Sequence, residues 1–253
     1  MNRSVNRSVD IIQLVCSRPE GASLREISQQ LGIPRSSAFD IVQTLESRGI
    51  IREIPGPPQK YAPGLQLYIA ASSYPSSQPL INQSISLLQE LAERSGKNTY
   101  MGALDADKLV YTYKYKPRSS ILTAAGIGER KDLHCTALGK ILIAFQSDSE
   151  RARLVENLAL DPHTEHTITD RSRFRQEIKE SRERGYAVDR MELDEHTFCI
   201  AAPVINAGGI AEMAVSLSYL YDSSVDIESE ARGILEVAGQ LSSQLQLPGG
   251  MYV

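Results

Sequence analysis

Cysteine is scarce and scattered in this 253-residue chain. Its three cysteines, Cys16, Cys135 and Cys199, are odd in number and far apart, which argues against a disulfide framework. Long apolar runs are missing as well: none approaches the roughly 20 residues that a membrane-spanning helix needs. The start Met1-Asn2-Arg3-Ser4 leads into no hydrophobic signal segment, so the expected compartment is the cytoplasm, with no membrane partner. Strong charge of one sign is absent too, and a net charge of −4 argues against a protein that coats nucleic acid non-specifically. There is no internal repeat and no low-complexity tract. What is present is an ordinary globular composition, 42% hydrophobic and 23% charged, with length for about two domains. Charge is unevenly spread: Met1 to Tyr61 carries eight Lys/Arg against six Asp/Glu, so that segment is +2 and the remainder −6.

Val5, Val9, Ile12 and Cys16 recur at helical spacing, widened by Leu14 and Val15, and predict a helix over 7–17 with that stripe buried. Pro19-Glu20-Gly21 ends it. Ser23-Leu24-Arg25-Glu26 is a capping box, with Ala22 and Ile27 at the staple positions. Leu24, Ile27 and Leu31 give a short second helix stopped by Gly32. Pro34 suits the first turn of a third helix, in which Ala38, Ile41, Val42 and Leu45 form the buried stripe and Gly49 the end. Two short helices joined by a tight Gly-containing turn make a helix-turn-helix. Ile50 to Ile54, a Pro-rich turn and Lys60 to Ala62 follow as a hairpin, the wing of a winged helix-turn-helix.

Groove geometry then assigns roles toward double-stranded operator DNA. Arg35, Ser36 and Ser37, at the start of the third helix, reach bases or phosphates first. Arg can bond guanine bidentately, and the serines can serve a base or a phosphate. Phe39 packs on a thymine methyl or is partly buried against the first helix. Asp40, Gln43 and Thr44 complete the outer face, and Gln43 is a candidate adenine or phosphate contact. Arg52 and Lys60 on the wing are candidate backbone contacts, and Arg25 on the second helix is a further candidate DNA contact. So few cations bind weakly alone, so a homodimer reading two half-sites is expected.

A short helix at 63–71 runs into Ser72-Ser73-Tyr74-Pro75-Ser76-Ser77-Gln78-Pro79, too polar and Pro-rich to continue helically. The domains are therefore expected as 1–62, a linker helix and linker over 63–79, and 80–253. In the second domain a helix at 80–94 precedes a hairpin of 98–104 and 109–114 turning at Asp105-Ala106-Asp107. Simple alternation puts Tyr111, Tyr113 and Tyr115 on one face, as a ligand wall or, more often for such a row, as packing. Ile121 to Ala124 reads as a further strand. Helices follow at 135–145, 149–158 and 171–184, strands at 186–189, 198–204 and 210–219, and a last helix at 226–245. Hairpins mixed with helices make this an α+β domain around an antiparallel sheet.

Gly126-Ile127-Gly128-Glu129-Arg130 leading to Leu133-His134-Cys135-Thr136-Ala137-Leu138-Gly139-Lys140 resembles a signature of the IclR family of bacterial transcription regulators. So does Arg184-Gly185-Tyr186-Ala187-Val188-Asp189-Arg190 followed by Glu192-Leu193-Asp194-Glu195 and Cys199 to Val204. With the wing, the resemblance covers nearly the whole chain. It implies a GAF-like effector-binding domain, control of DNA binding by a small molecule, and homodimers that pair into tetramers. Asp132 stands where the family usually has Pro, His196 where Gly is common, and Asp40 where a basic residue is usual.

A helix beginning near Cys135 points the amides of Cys135, Thr136 and Ala137 outward, and a helix N-terminus attracts anions. A small organic acid is the effector this favours; capping by His134 and Thr136 alone is the plainer alternative. On the last strand, alternation sets Ser216 and Ser218 with Ala214 on one face, where hydroxyls want a polar ligand or solvent. The resemblance implies a pocket made from that helix start together with Asp189, Cys199, Ser216 and Ser218.

An enzyme of GAF-like fold using Cys135 or Cys199 is the rival reading. His134 beside Cys135 suggests nucleophile and base, but sequence neighbours rarely face each other and no third group orients the His. A zinc site from His134, Cys135, Cys199 or His196 lacks the close spacing of structural sites, and His163 and His166 read as solvated loop residues. Gly126-Ile127-Gly128 is too short for a dinucleotide loop. No cofactor and no metal are therefore expected.

Overall fold

The computed structural model describes residues 2–77, 79–120, 125–222 and 226–245, with side chains for all of these but 73–77, 79, 80 and 83. Contacts divide the chain into two compact units, before and after the junction of Gln78 and Pro79.

In the first unit, α1 (Arg3–Cys16) starts where the Asn2 side chain accepts from the amides of Ser4 and Val5, earlier than periodicity predicts. Its buried residues are Ile11 and Val15, whereas Val5 and Val9 are 56% and 46% exposed. The stripe read from the sequence is thus rotated by about one residue. The helix has two adjoining apolar edges, and the tertiary neighbours select the one at Ile11, Leu14 and Val15. Next come β1 (Ala22–Ser23), α2 (Leu24–Leu31) and α3 (Arg35–Ser47). The capping box forms as expected: Ser23 Oγ accepts from the Glu26 amide, and the Glu26 carboxylate accepts from the Ser23 amide at 2.8 Å. Gly32 closes α2 at φ 60°, and Pro34 sits one residue before α3 rather than inside it. β2 (Ile51–Ile54) and β3 (Lys60–Pro63) form the wing, and β1 adds to it in the order β1-β3-β2. Ile11, Val15, Ile27, Ala38, Val42 and Ile51 make the core of this unit.

The helix α4 (Leu65–Ser77) overturns the expectation of a non-helical linker at 72–77. Serine hydroxyls can satisfy themselves on the helix's own carbonyls, as Ser72 does by donating to Ile69 O at 2.7 Å. Pro75 removes one amide from the ladder, a loss the surrounding turns tolerate.

In the second unit, α5 (Pro79–Ser95), β4 (Asn98–Asp105), β5 (Lys108–Tyr115), β6 (Arg130–Asp132), α6 (Ala137–Ala144), α7 (Asp148–Asn157), α8 (Arg171–Arg184), β7 (Ala187–Arg190), β8 (Thr197–Ile205), β9 (Ala211–Leu220) and α9 (Ile227–Leu245) follow in order. The sheet runs β6-β5-β4-β9-β8-β7 with every pairing antiparallel. One face packs on α5 and α9 through Leu88, Ile200, Val215, Ile234 and Leu241. The other packs on α6, α7 and α8 through Leu138, Ile141, Leu142, Leu154 and Phe174. Burying the fully enclosed Phe174 is by itself worth about 1.5–3 kcal/mol of apolar transfer. The strand β6 was not anticipated, and 121–124, expected as a strand, lies outside the described residues.

The tyrosine row is broken by a β-bulge. Met101 pairs with Tyr113 but Gly102 pairs with Tyr111, so Thr112 is an extra residue in β5. One extra residue reverses every side chain beyond it. Tyr113 joins the α5/α9 face and Tyr115 donates its hydroxyl to Glu93 of α5 at 2.6 Å, while Tyr111 turns to the α6 face beside Tyr100.

Candidate functional site

Two sites emerge, one in each unit. On α3 the residues Arg35, Ser36, Asp40, Gln43 and Thr44 are exposed, Ser37 is half-buried, and Phe39 is 47% exposed. Phe39 therefore leaves about half of its surface open to a partner. Thr44 Oγ1 donates to Asp40 O at 2.8 Å, so its hydroxyl is left to accept rather than donate. Gln43 Nε2 donates to Glu46 at 3.2 Å, an exposed bond that water or a base edge can replace. Arg25, Arg35 and Arg52 are exposed and form no ion pair among the described residues. Lys60 lies 4.0 Å from the exposed Glu20, a contact of little energy in water. This face is thus small, polar and cation-bearing, with Asp40 the one acid among the outward residues singled out on α3.

The second site is a cavity of about 830 Å³ between the sheet and the start of α6. Its sheet wall is laid down by register. Asp189 of β7 pairs with Cys199 of β8, and Cys199 pairs with Ser218 of β9, giving one cross-strand row. The next row is Ala201, Ser216 and Tyr100. Cys199 donates to Ser218 Oγ at 3.3 Å. Sequence alternation placed Ser216 and Ser218 correctly on one face, and that face is the cavity wall.

The helix start differs from expectation. α6 begins at Ala137, not Cys135, because Thr136 takes the capping position and its Oγ1 accepts from the Gly139 amide at 3.1 Å. This leaves the amides of Ala137 and Leu138, both lining the cavity, without an intrahelical partner. Gly139 is required there: a Cβ would stand 2.3 Å from the Leu133 carbonyl oxygen. Cys135 does not take the place in the pocket expected of it. It is fully buried behind the wall, its thiol facing Asp132 O at 3.8 Å, and does not line the cavity. Thr136, Ala137, Asp189, Cys199, Ser216 and Ser218 do line it.

Asp189 is 2% exposed, and burial pushes its pKa up to about 7, with Lys140 opposing the rise and Glu192 adding to it. Near neutrality this carboxyl is part acid, so it can donate a hydrogen bond as well as accept one. Its Oδ1 accepts from the Glu192 amide at 2.7 Å. Glu192 in turn pairs with Lys140 at 2.5 Å, both buried. Burial also raises Cys199, Tyr100 and Tyr111, so these stay neutral donors.

Tyr111, offered by alternation as a ligand wall, does line the cavity, whereas Tyr100 beside it and the rim residues Lys108, Asp132 and His163 were not read from the sequence as wall residues. Lys108 donates to Asp132 at 2.6 Å, and His163 bonds the other oxygen of Asp132 at 2.9 Å. Lys131 pairs with Glu129 at 2.7 Å and Arg130 with Asp105. Each rim cation is thus neutralised, and the free amides of α6 supply the anion-attracting element. The pairing of β5 with β6, which sets Lys108 opposite Asp132, carried no local sequence signal. Asn98, paired with Ser218 but not itself lining the cavity, has a buried Oδ1 without a partner. Its place at the head of β4 made it look like a strand boundary.

Residues 4–55 match the IclR helix-turn-helix domain, and residues 72–242 match the bacterial transcriptional regulator IclR C-terminal family. The HTH-type transcriptional regulator XynR of Escherichia coli (strain K12) is 30% identical, over 97% of this chain and 98% of its own. A solved IclR transcriptional regulator from Alicyclobacillus acidocaldarius matches with a TM-score of 0.85 at 22% identity, over 96% of this chain and 98% of its own. An IclR homolog from Microbacterium hydrocarbonoxydans, solved in complex with 4-hydroxybenzoate, matches with a TM-score of 0.83 at 17% identity, over 96% and 98%.

Proposed function

This chain belongs to the IclR family of bacterial transcriptional regulators, and from that premise we propose that a small organic acid held in the cavity of its second unit controls operator binding by its first. The observation that carries the reading is the meeting of two unlike walls. The amides of Ala137 and Leu138 offer donors to a carboxylate, and the row Asp189, Cys199, Ser218 with Ser216 offers hydrogen-bonding groups to the rest of the ligand. A relative in fold holds 4-hydroxybenzoate, a carboxylate with a distal hydroxyl, which is the same division of chemistry.

On the DNA side, Arg35, Ser36 and Ser37 enter the major groove with Phe39, Asp40, Gln43 and Thr44 behind them, while Arg25, Arg52 and Lys60 hold the backbone. Asp40 accepts from cytosine N4, since a carboxylate beside phosphate would be repelled. A homodimer supplies the second half-site, in the cytoplasm where the operator lies. A coupling of about 1–3 kcal/mol between cavity and operator changes DNA affinity 5- to 150-fold.

The test is a thermal-shift series of small acids, 4-hydroxybenzoate included, against the native protein and the Ser216→Ala and Ser218→Ala variants. An acid that raises the melting temperature of the native protein and loses that effect in the variants supports the assignment. A shift of equal size in all three proteins would refute it.

A further inference from the structure

Beside the cavity lies a cluster of which only His163, on the rim, belongs to the proposed effector site; His134 and Cys135 do not line it. One nitrogen of His134, one nitrogen of His163 and Cys135 Sγ all fall within 4.8 Å of one another. His134 and Cys135 sit buried ahead of α6, and His163 arrives from the loop between α7 and α8. Spacing along the chain hid the trio; the fold assembles it. The two imidazole rings lie 5.8 Å apart between centroids.

Each ring already has one nitrogen committed to an oxygen that can only accept. His134 Nε2 bonds the Asp161 carbonyl at 3.0 Å, and His163 Nε2 bonds the Asp132 carboxylate at 2.9 Å. An acceptor-only partner places the ring proton on Nε2 and leaves Nδ1 with its lone pair in the neutral ring. Metal-ligating histidines are held in this way, the second N–H donated to a carboxylate or a backbone carbonyl. Cys135 is fully buried, and its thiol has no partner nearer than the Asp132 carbonyl at 3.8 Å.

We infer that His134, Cys135 and His163 form a binding site for a borderline-soft divalent transition ion, with zinc the best match to two imidazoles and one thiolate. Water takes the fourth position. Asp132 is spent on Lys108 and His163, so it orients a ligand and is not one itself. In a tetrahedral site of this kind the ligand atoms stand roughly 3.3–3.8 Å apart, so the ion draws the trio in by about an ångström. His163, with its side chain 32% exposed on a loop, is the member free to move. A metal bound there takes Cys135 as the thiolate and so displaces the thiol proton. The ion ties the α7–α8 loop to the junction of β6 and α6. Asp132 and His163 also line the effector cavity, so the ion would stiffen its rim.

The experiment titrates cobalt(II) into tag-free, chelator-stripped full-length protein and then displaces it with zinc. One cobalt per chain is expected, with a thiolate-to-cobalt charge-transfer band and the visible bands of tetrahedral cobalt, all lost on adding zinc. Cys16→Ser should keep the charge-transfer band and Cys135→Ser should lose it. Asp132→Asn should keep it while weakening affinity about 10- to 100-fold. His163→Ala, a change in an exposed loop that leaves the core intact, should weaken cobalt binding at least as much as Asp132→Asn and alter the visible bands. Absence of a thiolate band in the native protein overturns the proposal. So does a band that survives Cys135→Ser, or one that His163→Ala leaves unchanged in position and affinity.

Discussion

Asp189 is where pH should act most visibly on this protein. Its folded pKa is lifted to about 7 by burial, against an ordinary value of 3.8. Between those values the folded chain holds a proton that the unfolded chain has released. Stability therefore falls as pH rises through the window, and the full cost is present above the folded pKa. About three pKa units correspond to something on the order of 4 kcal/mol. At roughly 2–4 °C per kcal/mol for a domain of this size, the melting temperature moves by on the order of 10 °C. Asp189→Asn keeps the shape and the oxygen that accepts from the Glu192 amide, but it cannot ionise. His134, whose pKa is lowered by burial, costs stability as pH falls below its ordinary 6.5, equally in both proteins, so it cancels in their difference. Thermal melts of native and variant protein from pH 4 to pH 8.5 should draw together at the acid end, near the ordinary carboxylate value of 3.8. They should separate toward the alkaline end, the variant becoming the more stable. Parallel curves across the range would refute the reasoning, because they would mean that Asp189 does not carry the titration.

Lys140→Met should destabilise the second unit by roughly 3–5 kcal/mol, since it strands the buried Glu192 carboxylate, whose Oε2 already has no partner. Adding Glu192→Gln should return much of that loss in denaturant unfolding; simple addition of two costs would count against a coupled pair. Arg35→Ala should weaken binding to operator DNA selected from a random pool by about 1–3 kcal/mol if Arg35 reads a base, with relaxed preference at one position. If it touches a phosphate, the loss should be uniform and the salt slope should drop by about one; no loss in either measure removes Arg35 from the interface.

Much of the fold could be read locally because its signals are local. The Ser23–Glu26 box, the Gly32 stop and the cap of α8 by Asp170 with Gly185 at its end each involve residues within a turn or two. The alternation that set Ser216 and Ser218 on one face is local as well. What escaped depends on contacts distant in sequence. The neighbours of α1 chose between two apolar edges, and the extra residue in β5 is visible only against β4. The pairing of Lys108 with Asp132 and the approach of His163 to His134 both span more than twenty residues. The start of α6 was misjudged for a smaller reason: Thr136 is a good capping residue, and its side chain takes the Gly139 amide, which moves the helix start two positions on.

The bulge at Thr112 makes chain length, and not only side-chain identity, a determinant of what the cavity presents. Deleting that one residue would restore strict alternation and carry Lys108 to Tyr111 onto opposite faces from those they now occupy, or else displace Tyr113 and Tyr115 from α5. Either way both layers would change at once. Relatives that vary their ligand are therefore expected to do so by substitution around Tyr111 and to conserve the residue count between Met101 and Tyr113, so an indel there would mark a domain that has been rebuilt.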